Sequence, residues 1–279
     1  MNIPKGSVTL FCKRLTMQVS MLYIYPIKSL GAISLQQSKI DRFGLEYDRR
    51  WMLVDEEGQF VTQRRHSELC FFDVSTFEDG FRITNRKHAQ FELELPLNKV
   101  SGQEKQVTVW SDTVSAELVD PQIDELFSQV LGQAVSLVKM PADGKRQVDR
   151  RYAPTGTVTA FSDGFPLLMI GQSSLDHLNS KLQLPIDMLR FRPNIVFVGG
   201  EPHQEDMFQT FQIGETRFKA VKPCSRCVVT TIDPESALRS PEPLRTLSKY
   251  RLQEGKVMFG MNVLALSQGG IQVGDLLNQ

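Results

Sequence analysis

The 279-residue chain balances 32 Lys+Arg against 32 Asp+Glu, and its hydrophobic and charged fractions, 41% and 23%, are those of a soluble globular protein. Zero net charge makes no case for nucleic acid or a membrane surface, and no apolar run reaches the length that spans a bilayer. Four cysteines at irregular positions make no disulfide framework and fit a reducing cytoplasm.

The length allows one large domain or two ordinary ones. Residues 1–20 read as a loose extension: Lys5, Lys13 and Arg14 are basic, but no apolar core or small-residue cleavage site follows them. Met21 is then an alternative start. Leu22 opens the ordered part as a strand ended by Pro26, with Lys28 and Ser29 in a loop before Gly31. A lysine beside a hydroxyl and a glycine at a strand end can hold a phosphate, although most loop lysines are merely solvated. Ile33–Ile40 is a second strand.

Tyr47–Val54 enters a hairpin that turns at Asp55–Gly58 and returns as Gln59–Arg65. Its outer ends carry Arg49/Arg50 and Arg64/Arg65. Like charges placed opposite each other repel unless an anion or carboxylate lies between them. Asp48 and Glu68 are the ordinary partners; an anionic ligand held by guanidinium forks is the functional one. From Leu69 to Leu118 short strand patterns alternate with turn residues, the spacing of a sandwich or barrel. Ile123–Leu131 is a short amphipathic helix, and Val135–Lys139 a further strand.

Pro141–Pro154 is polar and strongly basic, and reads as a mobile loop, a linker or a lid. Leu167–Ile170 is an apolar strand. Ser173, with Asp176 three residues on, resembles a capping box for a helix reaching Leu182. Arg190 and Arg192 alternate with apolar residues before the strand Ile195–Val198, so in an extended segment they share one face. Phe208–Ile213 and Thr216–Val221 form a hairpin, Pro241–Tyr250 a short helix, and Phe259–Leu266 a strand.

Val221–Pro234 holds the strongest chemical signal. Cys224 and Cys227 are separated by Ser225 and Arg226, with Lys222 nearby and a β-branched run, Val228–Ile232, that reads as a buried strand. A cationic setting favours the thiolate, which is both nucleophile and metal ligand. A structural zinc site lacks its second pair of ligands, since Cys12, Cys70 and the four histidines are scattered. A redox pair normally opens a helix after a strand, whereas this one precedes an apparent strand. One cysteine holding a metal whose other ligands belong to a cofactor is a third reading, and two thiols buried as small apolar residues a fourth.

Taken together, these stretches resemble the MOSC superfamily, the domain shared by molybdenum-cofactor sulfurases and amidoxime-reducing proteins. The first half resembles its N-terminal partner domain through Tyr25–Ser29 and Asp48–Val54. The second resembles the MOSC domain through Phe161–Asp163, Phe191–Val196, Cys224–Pro234, Glu242–Leu247 and Val273–Asp275. The ordered set runs from Leu22 to Leu276. It implies a β-rich α+β fold: an N-terminal β-barrel-like domain at 21–140, then a MOSC β-barrel domain at 141–279 with a few short helices.

The resemblance further implies a molybdenum cofactor, Mo-molybdopterin. The family's metal-binding cysteine falls on Cys227, and its pterin-phosphate contacts fall on Lys28, Ser29, Arg49, Arg64, Ser162, Arg192, Asn194, Ser225 and Arg226. Cationic forks suit a phosphate, and a soft thiolate suits a soft metal. The implied reaction is two-electron reduction of a small N-hydroxylated substrate: an amidoxime, a hydroxylamine or an N-hydroxylated base. Asp163 and Asp233 are candidate proton donors. The iron–sulfur spacing C-x₄-C-x₂-C is absent from the sequence, so electrons are expected from a separate flavoprotein or iron–sulfur protein. Two alternatives use the same residues: a cofactor carrier without turnover, and sulfur transfer through a persulfide on Cys224 or Cys227.

Overall fold

In the computed structural model, which describes residues 16–279, the first strand begins at Gln18 rather than beyond residue 20. Gln18–Ile24 pairs on one side with Ile195–Val198 and on the other with Ile33–Leu35. Of the expected loose extension, residues 1–15 lie outside the described residues, and 18–20 are strand. Val19, Leu22 and Ile24 are buried, which ties this start to the core.

The fold is mostly β, with three short α-helices among the described residues. The largest sheet runs, edge to edge, through Leu277–Asn278, Thr210–Ile213, Thr216–Ser225, Lys256–Ala265, Leu167–Gly171, Ile195–Val198, Gln18–Ile24 and Ile33–Leu35, with Leu252–Gln253 paired to one side. Leu167–Gly171 and Ile195–Val198 are parallel, and the helix Gln172–Asn179 lies in the crossover between them. A four-stranded sheet orders Trp51–Val54, Ser136–Lys139, Asp112–Leu118 and Glu104–Val109. Two three-stranded sheets complete the set.

The division at 140 is not a gap in the packing. The expected single strand Ile33–Ile40 breaks at Gln36: its first part joins the large sheet, and Gln37–Asp41 pairs with Gly269–Gln272 near the far end of the chain. One apolar core accordingly runs through both halves, from Leu22, Trp51 and Phe72 to Phe197 and Phe218. The helix Pro121–Leu131 docks onto it because Ile123 and Phe127 fall on one face. Asp120 caps that helix by accepting from Gln122 N, Pro121 fills its first turn, and Gly132 ends it at φ 65°. Phe127 meets Phe72 and Phe91 at ring-centre distances of 5.4 and 5.3 Å, and each such pair adds about 1 kcal/mol to the burial.

Four local expectations are corrected. Val228–Thr231 is a 3₁₀ turn, not a strand: Thr230 and Thr231 hydroxyls donate to the carbonyls of Cys227 and Val228, and those local bonds override β propensity. The strand is the preceding segment, Thr216–Ser225, which includes Cys224 and ends before Cys227. Arg190 and Arg192 share no face, because Met188–Phe191 is also 3₁₀ and Arg192 takes φ 53°. Pro141–Pro154 is anchored rather than free, with Arg146, Val148 and Ala153 buried. Ser173 does not cap its helix; its hydroxyl donates to Glu201 O, and Gly171 holds the cap position.

Candidate functional site

Three loops converge where the halves meet. Asp48, wholly buried, accepts from Tyr25 N at 2.8 Å. Arg49 N donates to Tyr25 O, Lys28 N to Trp51 O, and Phe161 N to Arg49 O. Ser29 and Arg49 sit at φ 73° and 49°, backbone that bulky residues adopt only when surroundings dictate it. The loops thus fix the directions in which Lys28, Arg49 and Ser162 point.

The fourth wall is the end of Thr216–Ser225. Its pairing with Lys256–Ala265 slips between Ala220 and Lys222 and again between Pro223 and Ser225. Such bulges re-aim side chains and accommodate a proline. Gly260, on the facing strand, stands at φ 80°, and a Cβ there would lie 2.7 Å from Ile170 Cγ1. Arg226 N then donates to Val257 O at 2.7 Å, which carries Cys227 round to the loops.

The result is a cavity of about 430 Å³ whose lining includes all ten residues named from the sequence: Lys28, Ser29, Arg49, Arg64, Ser162, Arg192, Asn194, Ser225, Arg226 and Cys227. Cys224, Lys222, Trp110 and Asp163 line it too. Arg50 and Arg65 are not in that lining: Arg50 pairs with Asp41, and Arg65 is exposed. The expected Glu68 partner bonds His66 instead, while Asp48 does hold Arg49 at 2.6 Å.

Six cations line this cavity against one carboxylate, Asp163. Lys28 Nζ donates to Asp163 Oδ1 at 2.6 Å and to Phe161 O at 2.7 Å. Burial pulls the Lys28 ammonium down to about 8, against the opposing pull of Asp163. Burial alone would push the Asp163 carboxyl up. Lys28 and Arg64, with hydrogen bonds from Lys28 and Trp110, more than reverse that and hold it well below the usual carboxylate range. Asp233 is also held low, by Ser236 donors against its partial burial and by Arg190. Both carboxyls are therefore ionised at neutral pH, which corrects their reading as proton donors.

Arg49 Nη1 and Nη2 donate to Asn194 Oδ1 and Arg192 O, both at 3.1 Å. Asn194 Oδ1 also accepts from Leu168 N, and its Nδ2 donates to Tyr23 O. The Asn194 amide is thus committed to holding the wall and orienting Arg49. Arg49 and Arg192 both lie over the Tyr25 ring, at 4.3 and 4.1 Å. Burial draws the Arg192 guanidinium down to about 10, and its Nη2 is buried with no partner. A buried, unpartnered charged donor on a cationic wall is what an anion would satisfy.

Each thiol has its own guanidinium. Arg64 Nη2 donates to Cys227 Sγ at 3.2 Å and to Asp163 Oδ2 at 3.3 Å. Arg226 Nη1 donates to Cys224 Sγ at 3.0 Å and Nη2 to Phe191 O at 2.6 Å. Among the described residues no group of three or more His, Cys, Asp or Glu side chains could hold a metal ion. A metal at Cys227 would take its remaining ligands from a cofactor.

Two participants escape a motif reading. Arg146 is buried, pairs with Asp112 at 2.9 Å, and donates to the carbonyls of Ala160, Ser162 and Asp163, so it holds the Lys28 loop contacts in shape. Trp110 Nε1 donates to Asp163 Oδ1 at 3.2 Å, and Arg64 lies 4.4 Å over its ring. Arg146 sits in a basic run that looks solvated, and Trp110 in a hairpin turn; only tertiary contact marks them.

Comparison with known proteins bears on the same region. Residues 16–134 match the MOSC N-terminal beta barrel domain, and 156–278 match the MOSC domain. Mitochondrial amidoxime-reducing component 1 of Danio rerio is 32% identical over 248 residues, covering 85% of this chain and 76% of its own. The Mus musculus protein of that name is 31% identical over 275 residues, covering 92% and 80%. A molybdenum cofactor sulfurase of Oryza sativa subsp. japonica is 30% identical over 259 residues; the match covers 86% of this chain but 31% of that protein, so the chain spans about a third of this relative.

Proposed function

The chain belongs to the MOSC family, and from that premise we propose that it binds a molybdenum cofactor and reduces N-hydroxylated substrates with electrons from a separate protein. One observation carries the reading: a single cavity joins a cationic wall, with Arg192 Nη2 unpartnered, to the Cys227 thiol. The wall suits a phosphate and the thiolate a soft metal.

The residues divide the work. Cys227 would ligate molybdenum; Arg49, Arg192, Arg226, Ser29, Ser162 and Ser225 would surround the phosphate, with Asn194 steering Arg49. Lys28 would contact the same phosphate. Arg64 ties the sulfur to Asp163 and the mouth. The bound cofactor supplies the two-electron chemistry, with the balance R–NH–OH + 2 e⁻ + 2 H⁺ → R–NH₂ + H₂O. Among the described residues Cys70, Cys224 and Cys227 are free thiols, which suits a reducing compartment such as the cytoplasm. No helix of the described residues is long and apolar enough to cross a membrane.

The test is turnover. Protein made in cofactor-producing cells is supplied with reduced viologen dye and benzamidoxime, and benzamidine is measured. Benzamidine formation that depends on bound molybdenum supports the reading. Bound molybdenum without turnover of any N-hydroxylated compound favours a cofactor carrier, and protein without molybdenum overturns both.

A further inference from the structure

The geometry points to Trp110 as the platform that receives a planar ring of the substrate beside Cys227. This inference deepens the proposed reductase reading and rests on it.

Trp110 and Ser111 form the two-residue turn between Glu104–Val109 and Asp112–Leu118, with Asp112 paired to Val109. Of the two central residues only Trp110 takes positive φ, and such a turn favours Gly at that first position. Here an indole sits at φ 59°, a conformation that disfavours a bulky side chain. Burial does not account for it either. At 47% exposure, Trp110 is the one exposed Phe, Tyr or Trp among the described residues.

The ring is nonetheless fixed. Nε1 donates to Asp163 Oδ1 at 3.2 Å, Phe60 packs beside it with ring centres 5.2 Å apart, and Arg64 lies 4.4 Å over it. The same Arg64 donates to Cys227 Sγ, so one guanidinium separates the indole from the sulfur assigned to the metal. A rigid, half-open aromatic surface in the lining of a cationic cavity provides what the arginines do not. Guanidinium forks recognise anions; a neutral amidoxime on an aromatic ring needs a face to stack on. The platform would therefore discriminate between substrates that share the N–OH group and differ in the ring.

The experiment compares benzamidoxime with acetamidoxime on cofactor-loaded wild type, Trp110→Phe and Trp110→Asn, with molybdenum content measured for each. Asparagine suits the left-handed turn position, so the hairpin is kept. Trp110→Asn should raise KM for benzamidoxime about tenfold more than KM for acetamidoxime, and Trp110→Phe, which keeps an aromatic face, should largely restore the wild-type ratio of the two. In cofactor-free protein benzamidoxime should quench the indole emission of wild type but not of Trp110→Phe, whose remaining Trp51 is wholly buried. Equal KM rises for the two amidoximes, loss of molybdenum from Trp110→Asn, or no quenching that depends on Trp110 overturns the platform. Quenching that depends on Trp110, in a wild type that holds molybdenum but turns over neither compound, leaves the platform standing and fails the reductase reading.

Discussion

Arg64 Nη2 donates to Cys227 Sγ across 3.2 Å, joining two residues 163 positions apart. The contact places the thiol where the N-terminal loops and the end of Thr216–Ser225 meet, so the proposed metal ligand is positioned by both halves. Substituting the sulfur removes the only proposed protein ligand. Cys227→Ser should lower bound molybdenum about tenfold or more, as read by elemental analysis of protein from cofactor-producing cells. Cys224→Ser, whose sulfur answers to Arg226 instead, should stay within about twofold of wild type. Equal loss from both variants would move the chemistry to dithiol or persulfide transfer.

Arg192 supplies a test that needs no turnover. Its Nη2 is buried without a partner, and burial has already drawn the guanidinium down to about 10. Inorganic phosphate should therefore stabilise the cofactor-free protein, by about 1.4 kcal/mol at ten times its Kd, or about 3 °C in Tm. Arg192→Met should lose that response, and should melt no lower than wild type without phosphate, since it removes an uncompensated buried charge. Sodium chloride at equal ionic strength is the control. An unchanged phosphate response in Arg192→Met would remove this residue from the anion site.

What the sequence revealed follows residue chemistry. Alternation and turn residues located most strands between Phe72 and Leu118, because those depend on local pattern. Ordered motifs named ten cavity residues without saying how they meet. The failures have tertiary causes. Val228–Ile232 has strand composition but is held in a 3₁₀ turn by its own threonines. Arg192 leaves the face of Arg190 by adopting φ 53°. The pairing of Gln37–Asp41 with Gly269–Gln272 joins segments more than 200 positions apart, and no local signal announces it.

Arg146 shows the same limit, and its role can be measured. Sequence places it among Lys145, Arg150 and Arg151, which are exposed; the fold buries it alone. Its guanidinium pairs with Asp112 and donates to three carbonyls of the Ala160–Asp163 loop. Arg146→Met leaves those carbonyls without their donor, with Asp112 half-open to solvent, at a cost of about 1–3 kcal/mol. Thermal melts should register that loss, and the phosphate response should weaken because the loop also bonds Lys28. Arg150→Met should do neither. Similar melting of the two variants would show that the brace is not needed.

A carboxyl outside the cavity makes stability depend on pH. Glu205 is wholly buried; Oε2 accepts from Ser174 Oγ at 2.8 Å while Oε1 has no partner. Burial pushes its carboxyl up to about 7, with Asp206 adding to the rise against hydrogen bonds that lower it. His203 nearby is pulled down to about 4 by burial, and so is neutral throughout the relevant range. Between the ordinary 4.5 and 7 the folded protein keeps a proton that the unfolded chain has released. Stability from this group is therefore complete below 4.5, declines as pH rises towards 7, and above 7 the buried carboxylate is a net cost. Glu205→Gln mimics the protonated form and removes that cost, so it should raise stability at pH 8 by about 1–3 kcal/mol. At pH 5 its Tm should converge on that of wild type. A gain of equal size at both pH values would show that packing, rather than the proton, limits stability at this position.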